Sequence, residues 1–332
     1  MLDHNLGRSR AREGSARPRL QSPQPSSEPL KPAVGQTLGG ISSPPPEPVR
    51  CRVPRPFADS PEFLRLLAGE PRVSLPRVAL EIARDAYPTI DVDAHLGRIA
   101  ALADRARQRC AADARPRAVL GQVNWVLFIE EGFRGNEAAY YDPRNSYLNE
   151  VLDRKAGIPI SLSVLYAAVA APLGLRLEPV NLPAHVVLRL DRDAAGGSVF
   201  VDPFHAGAIL DRDGCVDLVS KAVGRRVELA DDQLAPATPA ETVARMLRNL
   251  KAIYVRDDDY ASALPVSRRL AAVVPTDLDE RRDWGLLAYR AGRPGEAVAP
   301  LAHYGEARPG APDADAVAEI LRAARRDVAQ SN

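Results

Sequence analysis

The chain has 332 residues, 45% of them hydrophobic, and a formal net charge of +1. That length allows two domains and a sizeable core. The near-zero charge removes any electrostatic case for a nucleic-acid or membrane-surface partner.

Residues 1–55 are rich in Pro, Ser, Gly and Arg and contain no aromatic residue. Such a segment buries too little apolar surface to offset its ordering entropy, so it is expected to be disordered. It reads as a solvated tail or a misplaced start rather than an arm for an acidic partner. Pro44-Pro45-Pro46 favours polyproline II geometry locally.

Structure is expected to begin at Ser60, an N-cap, with Pro61 at the first helical position. A second helix is expected over 75–86. A third is expected over about 91–110, capped by Asp91 or Asp93, with His95 on it as a surface or packing residue. A fourth is expected over 117–131, ended by Gly132 and Gly135. Asp142-Pro143-Arg144-Asn145-Ser146 is turn chemistry feeding a short helix whose end is expected at Gly157. From Ser161 to about Leu173 the sequence is apolar on nearly every face, which predicts a buried central helix.

Three strands are then expected over 176–181, 185–190 and 198–202, with 215–218 as a candidate fourth and Ala195-Gly196-Gly197 as a hairpin turn. Alternation along them is expected to turn Val187 and Val199 towards the apolar helix. The fold class is therefore α+β. Pro236, Thr238 and Pro239 mark a boundary. It divides the ordered part into residues 56–235 and a helical region, 236–332, with helices near 241–256, 260–273, 278–291, 295–307 and 313–327. Pro275 and Pro309 are spaced about one helical-hairpin repeat apart, near the ~34-residue tetratricopeptide period. One clear repeat is too few for an independent solenoid, so this region is expected to pack on the core.

Three residues suggest chemistry. Ser161 sits at the start of the apolar helix, His185 opens an alternating run, and Asp202 closes another. A hydroxyl at a helix N-terminus with an imidazole and a carboxylate on successive strands can form a nucleophile–base–orienter triad. Each also has a plainer role: Ser161 as a helix cap, His185 as a packing residue, Asp202 as a strand end before Pro203. His205 ranks second as a base. Asn145 either lines the same cleft or caps the following helix. His185, Asp202 and His205 fit no familiar metal-ligand spacing. The chain has no HExxH, Walker or dinucleotide glycine pattern, so no metal or cofactor is expected.

The segments NWVLFIEEGFRGN (124–136), YYDPRNSYLNEVL (140–152), GIPISLSVLY (157–166), LPAH (182–185) and VDPF (201–204) together resemble the bacterial SirB-like branch of the transglutaminase-like superfamily. The helical segments RMLRNLKAIY (245–254) and RRDWGLLAY (281–289) are similar to the C-terminal region of that branch. The resemblance implies a papain-like core with a central helix packed on a small antiparallel sheet. It also implies a nucleophile at the helix start, with His185 and Asp202 as its partners. Enzymes of the superfamily use Cys there, whereas this chain has Ser161, and none of Cys51, Cys110 or Cys215 lies near it in sequence.

Two functions follow from the resemblance. One is a non-catalytic module that binds a protein or peptide partner. The other is a hydrolase or acyl transferase acting on amide bonds through Ser161, His185 and Asp202. No transmembrane run and no signal peptide are read, and the cysteines lack a CxxC pattern, so the expected location is the cytoplasm.

Overall fold

The structure is a computed structural model and describes residues 57–191 and 198–331. The expected disordered tail and the Ala195-Gly196-Gly197 turn lie outside the described residues.

Among the described residues, five α-helices precede the central one: α1 (Pro61–Leu67), α2 (Leu75–Ala83), α3 (Val92–Gln108), α4 (Pro116–Asn124) and α5 (Leu148–Arg154). Their starts follow local chemistry. Pro occupies an early position in α1, α2 and α4, and the Asp91 carboxylate accepts from the Ala94 amide at the head of α3. The fourth helix does not continue as one α-helix to residue 131. After Asn124 it widens into a π-helical turn, Trp125–Glu130, where the Glu131 amide reaches back to the Val126 carbonyl. α5 stops at Lys155, which takes a left-handed conformation at φ 54°. Gly157 is therefore not its end. It pairs with Gly135 in a short parallel ribbon between β1 (Arg134–Gly135) and β2 (Ala156–Gly157).

The central helix is α6 (Pro159–Ala170). It is apolar all round because it is covered all round. Leu162, Val164, Leu165, Tyr166 and Val169 share one core with Leu80 of α2, Leu102 of α3, Leu120 of α4, Leu152 of α5 and Leu188 of the sheet. Removing Leu165 to the β-carbon would cost about 2–5 kcal/mol, the usual range for a buried leucine.

The sheet is antiparallel in the order β3 (Leu177–Val180), β4 (Val187–Leu190), β5 (Val199–Asp202), β6 (Ala208–Leu210). Residues 215–218 are not a strand. They lie within helix α7 (Arg212–Val223), whose N-cap Asp211 accepts from the Gly214 amide. The Asp-x-x-Gly start set helix there, although Cys215 to Leu218 alone reads as apolar. The pleat of β4 is one residue out of phase with expectation, whereas Val199 of β5, paired with Leu190 and in phase with Val201, lies on the α6 side as expected. Leu188, Leu190 and Val201 face α6, while Val187 and Phe200 face α7 through Cys215 and Val219. Because α6 and α7 cover opposite faces, both faces of β4 are apolar. Alternation in HVVLRL could not reveal which side faced α6.

The C-terminal helices are α8 (Pro239–Arg256), α9 (Tyr260–Val273), α10 (Leu278–Arg290), α11 (Pro294–Ala307) and α12 (Ala314–Ser331). α8 opens with a capping box between Thr238 and Glu241. Its inner face, with Val243, Leu247 and Leu250, forms one core with Phe63 of α1, Ile82 of α2 and Leu270 of α9. A second small core joins Leu264 of α9 to α10, α11 and α12 through Ala288, Leu301, Tyr304 and Val317. Arg269 of α9 reinforces the first core. It is buried, bonds both oxygens of Asp85 at 2.6 and 2.8 Å, and lies against the rings of Phe57 and Phe63.

Candidate functional site

Three side chains from the end of the sheet converge. His185 is not on β4 but in the turn that leads into it, where its amide bonds the Leu182 carbonyl. The turn passes through Ala184 at φ 59°, a left-handed position that β-carbon-bearing residues adopt rarely. Arg245 of α8 holds both sides of this turn, donating to the Leu182 carbonyl at 2.9 Å and the His185 carbonyl at 3.1 Å. Burial lowers the pKa of the Arg245 guanidinium, an effect opposed by Tyr140.

Asp202 ends β5 and is almost wholly buried. Its carboxylate meets His185 Nε2 at 3.0 Å from each oxygen, His205 Nδ1 at 2.6 Å and the Phe204 amide at 3.0 Å. Burial alone would raise its pKa. The hydrogen bond and charge from His185, then those from His205, outweigh it and hold the group below the ordinary carboxylate range. Among the described residues, no hydrogen bond engages His185 Nδ1.

His205 reaches Asp202 because the chain turns sharply after it. Residues Pro203–His205 form one 3₁₀ turn, followed by Ala206 at φ 54° and Gly207 at φ 72°. The Gly207 amide returns to the Asp202 carbonyl at 2.9 Å. Asn124 locks the turn: its Nδ2 donates to the Gly207 carbonyl at 2.9 Å, and its Oδ1 accepts from the Tyr166 hydroxyl at 2.7 Å. A β-carbon on Gly207 would stand 2.0 Å from Asn124 Oδ1, so only glycine fits. Around the cluster, Phe204 meets the His185, His205 and Tyr140 rings edge-on, and the two imidazoles lie 5.7 Å apart.

Ser161 is placed differently from the expectation that it opens α6. The N-cap is Ile158, and Ser161 is the third helical residue. Its hydroxyl donates to the Asn145 carbonyl at 2.6 Å, with the Ile158 carbonyl at 3.1 Å, and it accepts from the Ile158 amide at 3.1 Å. The side chain is 1% exposed. Gly157 makes room for it, since a β-carbon there would fall 2.8 Å from the Ser161 hydroxyl. Among the described residues, no hydrogen bond joins Ser161 to His185.

Asn145 is fully buried. Its Oδ1 accepts from Asn136 at 2.9 Å, and its Nδ2 donates to the Ala139 carbonyl at 2.6 Å. Its side chain thus ties down the 136–145 loop. The structure therefore joins His185, Asp202 and His205 by hydrogen bonds, while the side chains of Ser161 and Asn145 bond to backbone groups and to Asn136. Sequence reasoning did not single out Asn124, Arg245 or Gly207, which hold the cluster in place. Asn124 and Arg245 stood inside the quoted motifs, but nothing local marked the distant backbone groups they would bind.

A family model described as the transglutaminase-like superfamily matches residues 93–248, and one described as a tetratricopeptide repeat matches residues 250–322. A protein of Xylella fastidiosa named UPF0162 protein is 34% identical over 244 residues, covering 72% of this chain and 85% of the relative. Protein SirB1 of Salmonella typhimurium is 27% identical over 247 residues, 74% of this chain and 88% of its own. F-box only protein 21 of Homo sapiens is 40% identical over 111 residues, which are 32% of this chain and 18% of that protein. No solved structure matches the chain.

Proposed function

The chain belongs to the SirB-like branch of the transglutaminase-like superfamily, and from that premise we propose that its cleft binds a protein or peptide segment without cleaving it. The observation that carries this reading is the Ser161 hydroxyl. It is buried and donated to the Asn145 carbonyl at 2.6 Å, where it closes the start of α6. A serine acting as a nucleophile needs its proton directed to a base in the transition state. Here the proton is directed to a carbonyl oxygen that cannot accept it as a base.

The surroundings support recognition. His205 keeps 44% of its side chain exposed at the mouth of the cluster. Tyr141 is 61% exposed beside Tyr140, and Arg256 of α8 lies over its ring at 4.6 Å. An exposed tyrosine beside a half-buried one and fixed polar groups suits a peptide, which offers both apolar side chains and amides. Tetratricopeptide regions generally mediate protein–protein contacts, and one is joined directly to the cleft through α8. The reading makes the protein a pseudoenzyme acting as a regulatory module in the bacterial cytoplasm.

A second reading is favoured by one observation. His185 and Asp202 are within hydrogen-bond distance, as a base and its orienter would be. It requires Ser161 to leave its carbonyl partner and reach His185. A fluorophosphonate probe on purified protein separates the two. The binding reading expects no covalent adduct. It also expects saturable binding of peptides selected from a random library, lost on Tyr140→Ala or His205→Ala with the fold intact. A stoichiometric adduct on Ser161 would overturn it.

A further inference from the structure

We infer that His185, Asp202 and His205 form a binding site for a divalent transition-metal ion, with zinc as the natural probe. A base–orienter pair needs one imidazole on one carboxylate. Here a second imidazole is brought to the same carboxylate oxygen at 2.6 Å, and a simple pair does not account for it. The fold holds it there with a 3₁₀ turn, two successive left-handed residues and the Asn124 lock on Gly207. The three donor groups lie within 4.8 Å of one another.

The donor chemistry selects the ion. Two imidazoles and one carboxylate suit zinc or ferrous iron, whereas calcium and magnesium prefer oxygen-only shells. Three protein ligands also leave further coordination positions for water or a ligand group. The geometry is that of a site closed by hydrogen bonds. Tetrahedral zinc, with bonds of about 2.1 Å, separates its donors by about 3.4 Å. The imidazole–carboxylate distances here are 3.0 and 2.6 Å. A metal would replace the shared N–H hydrogen bonds, and the protons would move to the other ring nitrogens. The partly exposed His205 side chain has room for this adjustment, while Asp202, 1% exposed, is fixed. Asp202 also accepts from the Phe204 amide, which anchors its carboxylate as ligand carboxylates commonly are.

This inference does not rest on the peptide-binding reading. A chain that bound no peptide would still present the three donors, and failure of the metal site leaves the reading of Ser161 unchanged. The experiment is a titration of chelator-treated full-length protein with zinc chloride, followed by calorimetry and by the ring signals of the histidines in NMR spectra. The expected result is one zinc per chain, with shifts confined to the His185 and His205 rings. His205→Ala and His185→Ala should each weaken binding at least ten-fold, while His95→Ala and His303→Ala leave it unchanged. Because His205 is at the surface, its variant should keep the native circular dichroism spectrum, so its loss of affinity reports the ligand and not the fold. No saturable binding below millimolar zinc overturns the inference. So does unchanged affinity in a folded His205→Ala variant.

Discussion

Arg269→Ala should unfold the protein at a markedly lower temperature, and the cause lies at the junction of the two halves. Arg269 is on α9, and its guanidinium donates to both oxygens of Asp85, just beyond α2. Its side chain is 3% exposed and that of Asp85 is 18% exposed. Removing one partner of a buried ion pair leaves the other charge in a poor environment and costs about 3–5 kcal/mol. The residual exposure of Asp85 argues for about 3 kcal/mol, the lower end. The contacts with the Phe57 and Phe63 rings go with the side chain, so the loss includes packing. A chain of this size unfolds with an entropy of about 0.6 kcal/mol/K, so 3 kcal/mol corresponds to about 5 °C. Thermal unfolding followed by circular dichroism would measure it. One transition, shifted down by about this much, is expected because α8 and α9 share a core with α1 and α2. A shift below 1 °C, or a separate early melt of the helical tail, would refute the reasoning.

Other outcomes follow from the same coordinates. Residues 239–332 expressed alone should show weak helicity and no cooperative melt, because the inner face of α8 is covered by α1 and α2; a sharp calorimetric transition in the fragment contradicts this. Gly207→Ala should be destabilised by at least about 1–3 kcal/mol in urea unfolding, since a left-handed position and the Asn124 amide both oppose a side chain there. The carboxyl of Asp202 is depressed in the fold, so its contribution is present above the unfolded pKa of about 4 and lost as pH falls through the lower folded value. Asp202→Asn should therefore cost stability at pH 6–7, and the gap to the unsubstituted protein should close below about pH 4. A gap that widened in acid would show that the carboxylate is not held by the imidazoles. Leu165→Ala should lower stability by about 2–5 kcal/mol by the same unfolding measurement.

Much of the fold could be read from the chain because its signals are local. The C-terminal helical region was marked by the Pro and Thr boundary ahead of α8 and by a repeat-like spacing of prolines, and α6 by its unbroken apolar run. The misreadings had physical causes. Lys155 ends α5 by adopting a left-handed backbone that glycine usually takes, so Gly157 drew the assignment. The phase of β4 was hidden because both faces of the sheet are covered. At the site, the proximity of His185 and Asp202 followed from the resemblance to a family. For Ser161 the helix-cap role was weighed beside the nucleophile role, but its Asn145 partner, a backbone carbonyl sixteen residues away, carries no local signal. His205 was ranked second as a base, yet the turn locked by Asn124 makes it an equal partner of Asp202.

The central claim is that Ser161 closes a helix and does not act as a nucleophile, and Ser161→Cys tests it most directly. The measurement is the rate of carboxymethylation of that thiol by iodoacetamide at pH 7, in the presence and absence of His185→Ala, with Cys51, Cys110 and Cys215 followed by mass spectrometry as internal references. A thiol buried against the Asn145 carbonyl should react no faster than an ordinary cysteine, and the rate should not depend on His185. A rate enhanced many-fold and abolished by His185→Ala would place the side chain in an active dyad and contradict the account.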